Sequence, residues 1–101
     1  MVVSGRNEEK LKELVETCER QFGNKNVVYK VAEAENEVEC EAVVKFTIEK
    51  FGRLDILVLA AGIAAHSKFI DLESLDIVRK VMNVNFMGYV NMTRYALPLI
   101  K

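Results

Sequence analysis

The chain has no tryptophan, one proline, one histidine and two cysteines among its 101 residues, and each scarcity excludes something. Cys18 and Cys40 lie far apart in helix-like stretches, with no CxxC pair and no histidine close by, so neither a disulfide scaffold nor a metal site is expected. Buried, reduced thiols are the reading. A metal held by Glu37, Cys40 and Glu41 would rest on helix geometry alone, with no histidine to join them. A net charge of −1 leaves no basic footprint for nucleic acid or an anionic membrane surface. No apolar run approaches the roughly 20 residues of a membrane span, and Met1-Val2-Val3 opens without a basic region ahead of an apolar one. Pro98 is the sole proline, and there is no Pro/Gly/Ser-rich linker or internal repeat. One continuous domain is expected.

What is present is half apolar and strongly periodic. Val2 to Ser4 reads as a strand closing at Gly5. Asn7 can cap a helix whose first turn carries Glu8 and Glu9, favourable toward the helix dipole. Leu11, Leu14, Val15, Cys18 and Phe22 recur at helical spacing up to Gly23, a stop signal. Val27 to Val31 is β-branched and aromatic and predicts a second strand. From Asn36, the residues Cys40, Val43, Val44, Thr47, Ile48 and Phe51 form a second amphipathic stripe closed by Gly52. Leu54 to Ala60, LDILVLA, is nearly apolar throughout, which suits a strand buried on both faces of a parallel sheet. Ser74 can cap a long last helix running to about Pro98. The order β-α-β-α-β-α predicts an α/β fold, a doubly wound parallel sheet of three strands and three helices.

Ligands of such sheets sit beyond the C-terminal ends of strands. Three stretches therefore matter: SGRN, AEAEN with Glu33 and Ala34, and AAGIAAHS. Gly5 permits close backbone approach and Arg6 offers a planar fork suited to a phosphate; a solvated arginine in a turn is the plain alternative. Glu33 stands at a strand end, where a carboxylate can accept from an amino group or simply solvate. His66 has no recognisable nucleophile or orienting carboxylate, so it reads as a loop histidine. Tyr95 lacks a lysine four positions on, since that position is Leu99, and so lacks the usual cation that lowers a phenol pKa. The last helix contains KVMNVNFMGYVNM, where Asn83, Asn85, Asn91 and Gly88 interrupt an apolar run. These are poor helix residues, and an unpaired buried amide costs about 1–3 kcal/mol, so something should compensate.

FGRLDILVLAAGI, followed by VNFMGYVNMTRYALPLIK, resembles the short-chain dehydrogenase/reductase family along the whole chain. AAG resembles its NNAG motif, Val84, Asn85 and Gly88 its VNxxG segment, and SGRN the end of the second strand in NADP-preferring members. VRKVMNVNF with TRYALPLIK resembles 11β-hydroxysteroid dehydrogenase-like members. The resemblance implies a Rossmann-like sheet and an NADP(H) cofactor. Arg6, Ser4 and Gly5 would stand at its 2′-phosphate, Glu33 and Ala34 near the adenine, and Ala60, Ala61 and Gly62 along the ribose. Asn85 would be the asparagine of the catalytic tetrad, bending its helix and holding a water of the proton relay. Leu59 and Ala60 replace the two asparagines of NNAG, which removes a side-chain link between strands. Asn83 and Asn91 are expected on the polar side or at the rim of a helix interface, with Gly88 allowing close approach.

The family's TGxxxGxG phosphate loop, YxxxK pair and catalytic serine are not in this sequence. The resemblance therefore covers only the family's second strand through the helix after its fourth, a partial Rossmann-like domain over 1–101. In the family's strand order 3-2-1-4-5-6-7, that leaves the third segment a strand's width from the first, about 10 Å across two interstrand spacings. The expectations are a marginal fold, a rearrangement pairing those two strands directly, or dependence on further segments. The functional expectation is part of an NADP(H)-dependent oxidoreductase interconverting an alcohol and a carbonyl, inactive as this chain alone. The alternative is a non-catalytic isoform or pseudoenzyme acting through its last helix. That helix, 74–98, would be the surface of a homo-oligomer, with Phe86, Tyr89 and Met92 exposed on one face. The expected substrate is a small-molecule carbonyl or alcohol. The expected location is the cytoplasm, or the endoplasmic reticulum membrane if a preceding segment carries an anchor.

Overall fold

The computed structural model describes residues 1–64 and 68–100. Strand β1 (Val2–Gly5) leads into helix α1 (Glu8–Phe22), strand β2 (Val28–Val31) and helix α2 (Glu37–Phe51). The two strands are parallel, with Val2 opposite Val28 and Gly5 opposite Val31, so β1-α1-β2 is the crossover unit that the alternation of patterns predicts. Both helices start and stop where their sequences say. Asn7 Oδ1 accepts from the Lys10 N–H and Asn36 Oδ1 from the Glu39 N–H, each at 3.1 Å. Each satisfies an otherwise orphaned donor of the first turn. Gly23 and Gly52 end the helices in the left-handed region, at φ 65° and 73°, where a Cβ would be strained.

The last helix is one rod in three parts: α3 (Asp76–Met82), a π-turn (Asn83–Met87) and α4 (Gly88–Ala96), followed by a 3₁₀ turn at Leu97–Leu99. Ser74 is not the cap expected: the N-cap is Leu75, which makes no side-chain cap bond, and Ser74 Oγ, one residue earlier, accepts from the Asp76 N–H at 3.3 Å. At the π-turn, which contains Asn85, the Gly88 N–H bonds to the Asn83 carbonyl, five residues back; π-turns of this kind are rare single-turn features inside α-helices.

The buried apolar residues include Leu11, Val27, Ala32, Cys40, Val43, Val44, Val84 and Ala96. They belong to two layers: α1 packs on the β1–β2 pair, and α2 packs on α4. The α/β class stands, with one correction. Among the described residues the sheet has two strands, and the expected third, 54–60, joins no ladder beyond a single parallel bridge between Leu54 and Ile100. Nor is it buried on both faces: Ile56 is 79% and Val58 78% exposed, while Leu57 and Leu59 are half-buried. A strand's backbone bonds lie in its neighbour, and neither β1 nor β2 lies beside this segment. The rearrangement that would pair it directly with β1 is not adopted. The consequence is an extended molecule, 50 × 32 × 18 Å with a radius of gyration of 15.7 Å, against about 13 Å for a compact domain of this length.

Candidate functional site

Three turns converge. Residues 4–6 close β1, 32–35 follow β2, and 58–63 end the unpaired segment; together with α4 they line a cavity of about 460 Å³. Ser4, Gly5, Arg6, Ala34, Ala60, Ala61 and Gly62 all line it, so positions spread over most of the sequence meet in one place. Small side chains dominate these walls, which leaves room for a flat or extended ligand close to the backbone. Arg6 lines the cavity, is exposed and has no ion pair with a carboxylate among the described residues, so its fork of donors is open to an anion.

Glu33 is the expected cofactor-side residue that does not line the cavity. Its side chain is exposed, and its backbone N–H points to Glu39 Oε2 at 3.4 Å. Glu35 lines the wall instead, with its carboxylate held by the Lys80 ammonium. Asn85 sits beside the opposite wall. Its Oδ1 accepts from the Ile63 N–H at 2.8 Å and its Nδ2 donates to the Ile63 carbonyl at 2.7 Å. The amide thus closes a two-bond ring on the loop that follows the unpaired segment, with one N–H and one oxygen lone pair left over. A Cβ on Gly62 would come within 3.4 Å of Asn85 Oδ1, a tight fit between loop and helix.

Asn83 is exposed, as expected. Asn91 is not: it is 7% exposed, and its Nδ2 donates to the Ala34 carbonyl at 3.1 Å. The rim placement read from sequence is corrected, because that carbonyl compensates the buried amide. Gly88 does allow close approach. A Cβ there would lie 2.8 Å from the Ala34 Cβ. Tyr89 and Met92 also depart from expectation, since both are half-buried and line the cavity while Phe86 is exposed; the three form no common outer face. The Tyr89 hydroxyl donates to the Ala61 carbonyl at 2.9 Å. His66 lies outside the described residues.

Cys40, on the cavity wall, and Tyr95, on the last helix, are both shifted upward. Burial pushes the Cys40 thiol up, helped by Glu39 and Glu37, and the thiol donates to the Ala34 carbonyl at 3.3 Å. It is a poor nucleophile. Cys18 is half-buried and also unpaired. The Tyr95 phenol is raised by its 2.6 Å hydrogen bond to Glu37, and further by partial desolvation and the Glu37 charge. It is the reverse of a phenol prepared to give up a proton. The sequence signal for Asn91 was its spacing of three from Gly88, which puts both on one helix face. Tyr89, Glu35 and Lys80 carried no comparable signal.

The model of the short chain dehydrogenase family matches residues 1–101. The chain is 39% identical to 11-beta-hydroxysteroid dehydrogenase A of Sesamum indicum, over all of this chain and 29% of that one. Among solved structures, a short chain dehydrogenase from Mycobacterium smegmatis superimposes with a TM-score of 0.89 at 28% identity, covering 97% of this chain and 39% of the other. A short chain dehydrogenase/reductase from Burkholderia phymatum, in complex with NAD, gives 0.87 at 25% identity, over 98% and 34%. The chain thus spans under half the length of each of these proteins. Its crossover unit, its cavity beyond the strand ends and a family match from first residue to last agree: this chain belongs to the short chain dehydrogenase family of oxidoreductases.

Proposed function

We propose that this chain is the part of an NADP(H)-dependent alcohol–carbonyl oxidoreductase that receives the adenosine half of the cofactor, and that alone it binds weakly without turnover. The observation that supports this is the convergence of Ser4–Arg6, Ala34 and Ala60–Gly62 on one cavity. The donor set fits the group: an open arginine fork and a serine hydroxyl suit a ribose 2′-phosphate, and glycine and alanine walls suit the adenosine. Arg6 and Ser4 would hold the phosphate, and the Ala60–Gly62 backbone would flank the ribose. When bound, the nicotinamide supplies a hydride to, or accepts one from, the carbon of a small carbonyl or alcohol. The chain's own contributions are placement and exclusion of water. Asn85 fixes the 60–63 wall through Ile63, and Tyr89 fixes Ala61.

Titration of the purified chain with NADPH and NADH tests this reading. NADPH is expected to bind at least about tenfold more tightly, one charge-assisted contact being worth about 1.5–3 kcal/mol, and Arg6→Ala should erase the difference. Equal affinities, or no binding at millimolar cofactor, would overturn it. A second reading, an interaction role through the last helix, is favoured by the exposure of Met82, Phe86, Val90 and Leu97 along that rod. Sedimentation of the chain decides it: a monomer at every concentration removes it.

A further inference from the structure

Asn91 is the one buried polar residue among the described residues, and its environment is built from both sides. Its Nδ2 donates to the Ala34 carbonyl, which also accepts from the Cys40 thiol. One turn earlier on the same helix, Gly88 leaves the Ala34 methyl space that any side chain would take. Two polar links flank this contact, Lys80 to Glu35 and the Tyr95 hydroxyl to Glu37. The loop after β2 and the first residue of α2 are therefore attached to the last helix at several points between Lys80 and Tyr95, and the loop's inner surface, Ala34 and Glu35, is a cavity wall.

A buried amide in a helix is costly without a partner, and here the partner is the backbone of the wall rather than another core group. We infer that Asn91 is a positioning residue of the cavity: with Gly88 as its spacer, it sets how far the 33–36 loop stands from the last helix, and so the width of the adenine side. This rests on the cofactor reading above only for the identity of the ligand. The placement of the loop is independent of it.

The test compares Asn91→Leu, Gly88→Ala, and Gly88→Ala combined with Ala34→Gly in the full chain. The readouts are residue-resolved amide exchange and the affinity for 2′,5′-ADP. The reporter is the Asn36 amide, which donates to the Glu33 carbonyl at 3.0 Å across the loop. Helix α1, which this loop does not hold, is the reference. Asn91→Leu is expected to speed exchange at Asn36 about tenfold and to weaken 2′,5′-ADP by a similar factor, the scale of one lost hydrogen bond. Protection in α1 should be unchanged. Gly88→Ala should do the same by pushing Ala34 away, and the added Ala34→Gly should restore both readouts by removing the opposing methyl. Exchange at Asn36 that stays at the parent rate in both single variants overturns the inference. So does loss of α1 protection in step with Asn36, which would make Asn91 a general stabilising residue. If the parent chain does not bind 2′,5′-ADP, the cofactor reading fails by itself and the exchange comparison still decides the role of Asn91.

Discussion

The β1-α1-β2-α2 region at 1–52 and the more apolar segment at 54–64 are differently folded. In the first, every helix closes its hydrogen bonds within itself, and each is delimited by an asparagine cap and a left-handed glycine. In the second, seven mostly apolar residues have the right composition for a strand and nothing alongside to complete one, so Ile56 and Val58 face solvent. Helical structure is specified locally, whereas a strand is specified by a pair. Composition fixes what a segment would bury. It does not supply the neighbour.

That contrast can be broken most sharply by placing a charge in each region. Val44→Asp, in the α2–α4 core, should destabilise the chain by more than about 3 kcal/mol, whereas Ile56→Asp and Val58→Asp should stay within about 0.5 kcal/mol. Urea melts of the three variants are the measurement, and a large loss at Ile56 would mean that the segment is paired in solution. Next in size is the two-bond tie between the unpaired segment's loop and the last helix. Asn85→Ala removes both bonds to Ile63 and leaves that backbone short of partners, a loss of about 1–3 kcal/mol. Amide exchange at Ile63 should rise while α1 stays protected; an unchanged Ile63 would show that the loop is held by something else.

The smallest effect concerns pH. The Tyr95 phenol is raised in the folded state by its bond to Glu37, so its contribution is fully present below the ordinary tyrosine range and is lost as pH climbs through the raised value. A melt followed upward from neutral pH should weaken only above about pH 10, and Tyr95→Phe should flatten that limb. A decline already complete at neutral pH would point to another group.

Legibility follows the same division. Asn7, Gly23, Asn36 and Gly52 are local signals, and all four delimit helices where the sequence places them. The convergence was legible in part, since turns after strands are where such folds gather their ligand residues: Ser4, Gly5, Arg6, Ala34, Ala60, Ala61 and Gly62 line one cavity, and Glu33 does not. What escaped was pairwise. Nothing in LDILVLA says which strand lies beside it, and nothing in Asn91 alone says that the Ala34 carbonyl waits opposite. Likewise Glu33 and Glu35 are interchangeable in sequence, and only the placement of Lys80 on the last helix sets Glu35 on the wall.

The π-turn at Asn83–Met87 also has an arithmetic of length. Its closing bond spans five residues instead of four, so the rod holds one residue more than a regular helix would need. Each residue turns an α-helix by about 100°. The wide turn takes up the extra residue, so Gly88 and Asn91 reach Ala34 in the phase that a regular helix one residue shorter would give them. Were the same residues to wind into regular α-helix with none removed, everything beyond the turn would swing by that angle: Asn85 would keep Ile63, while Gly88 and Asn91 would rotate off Ala34. A better helix and a dismantled cavity would come from the same relaxation. The wide turn therefore sets the phase between the two walls that the helix serves.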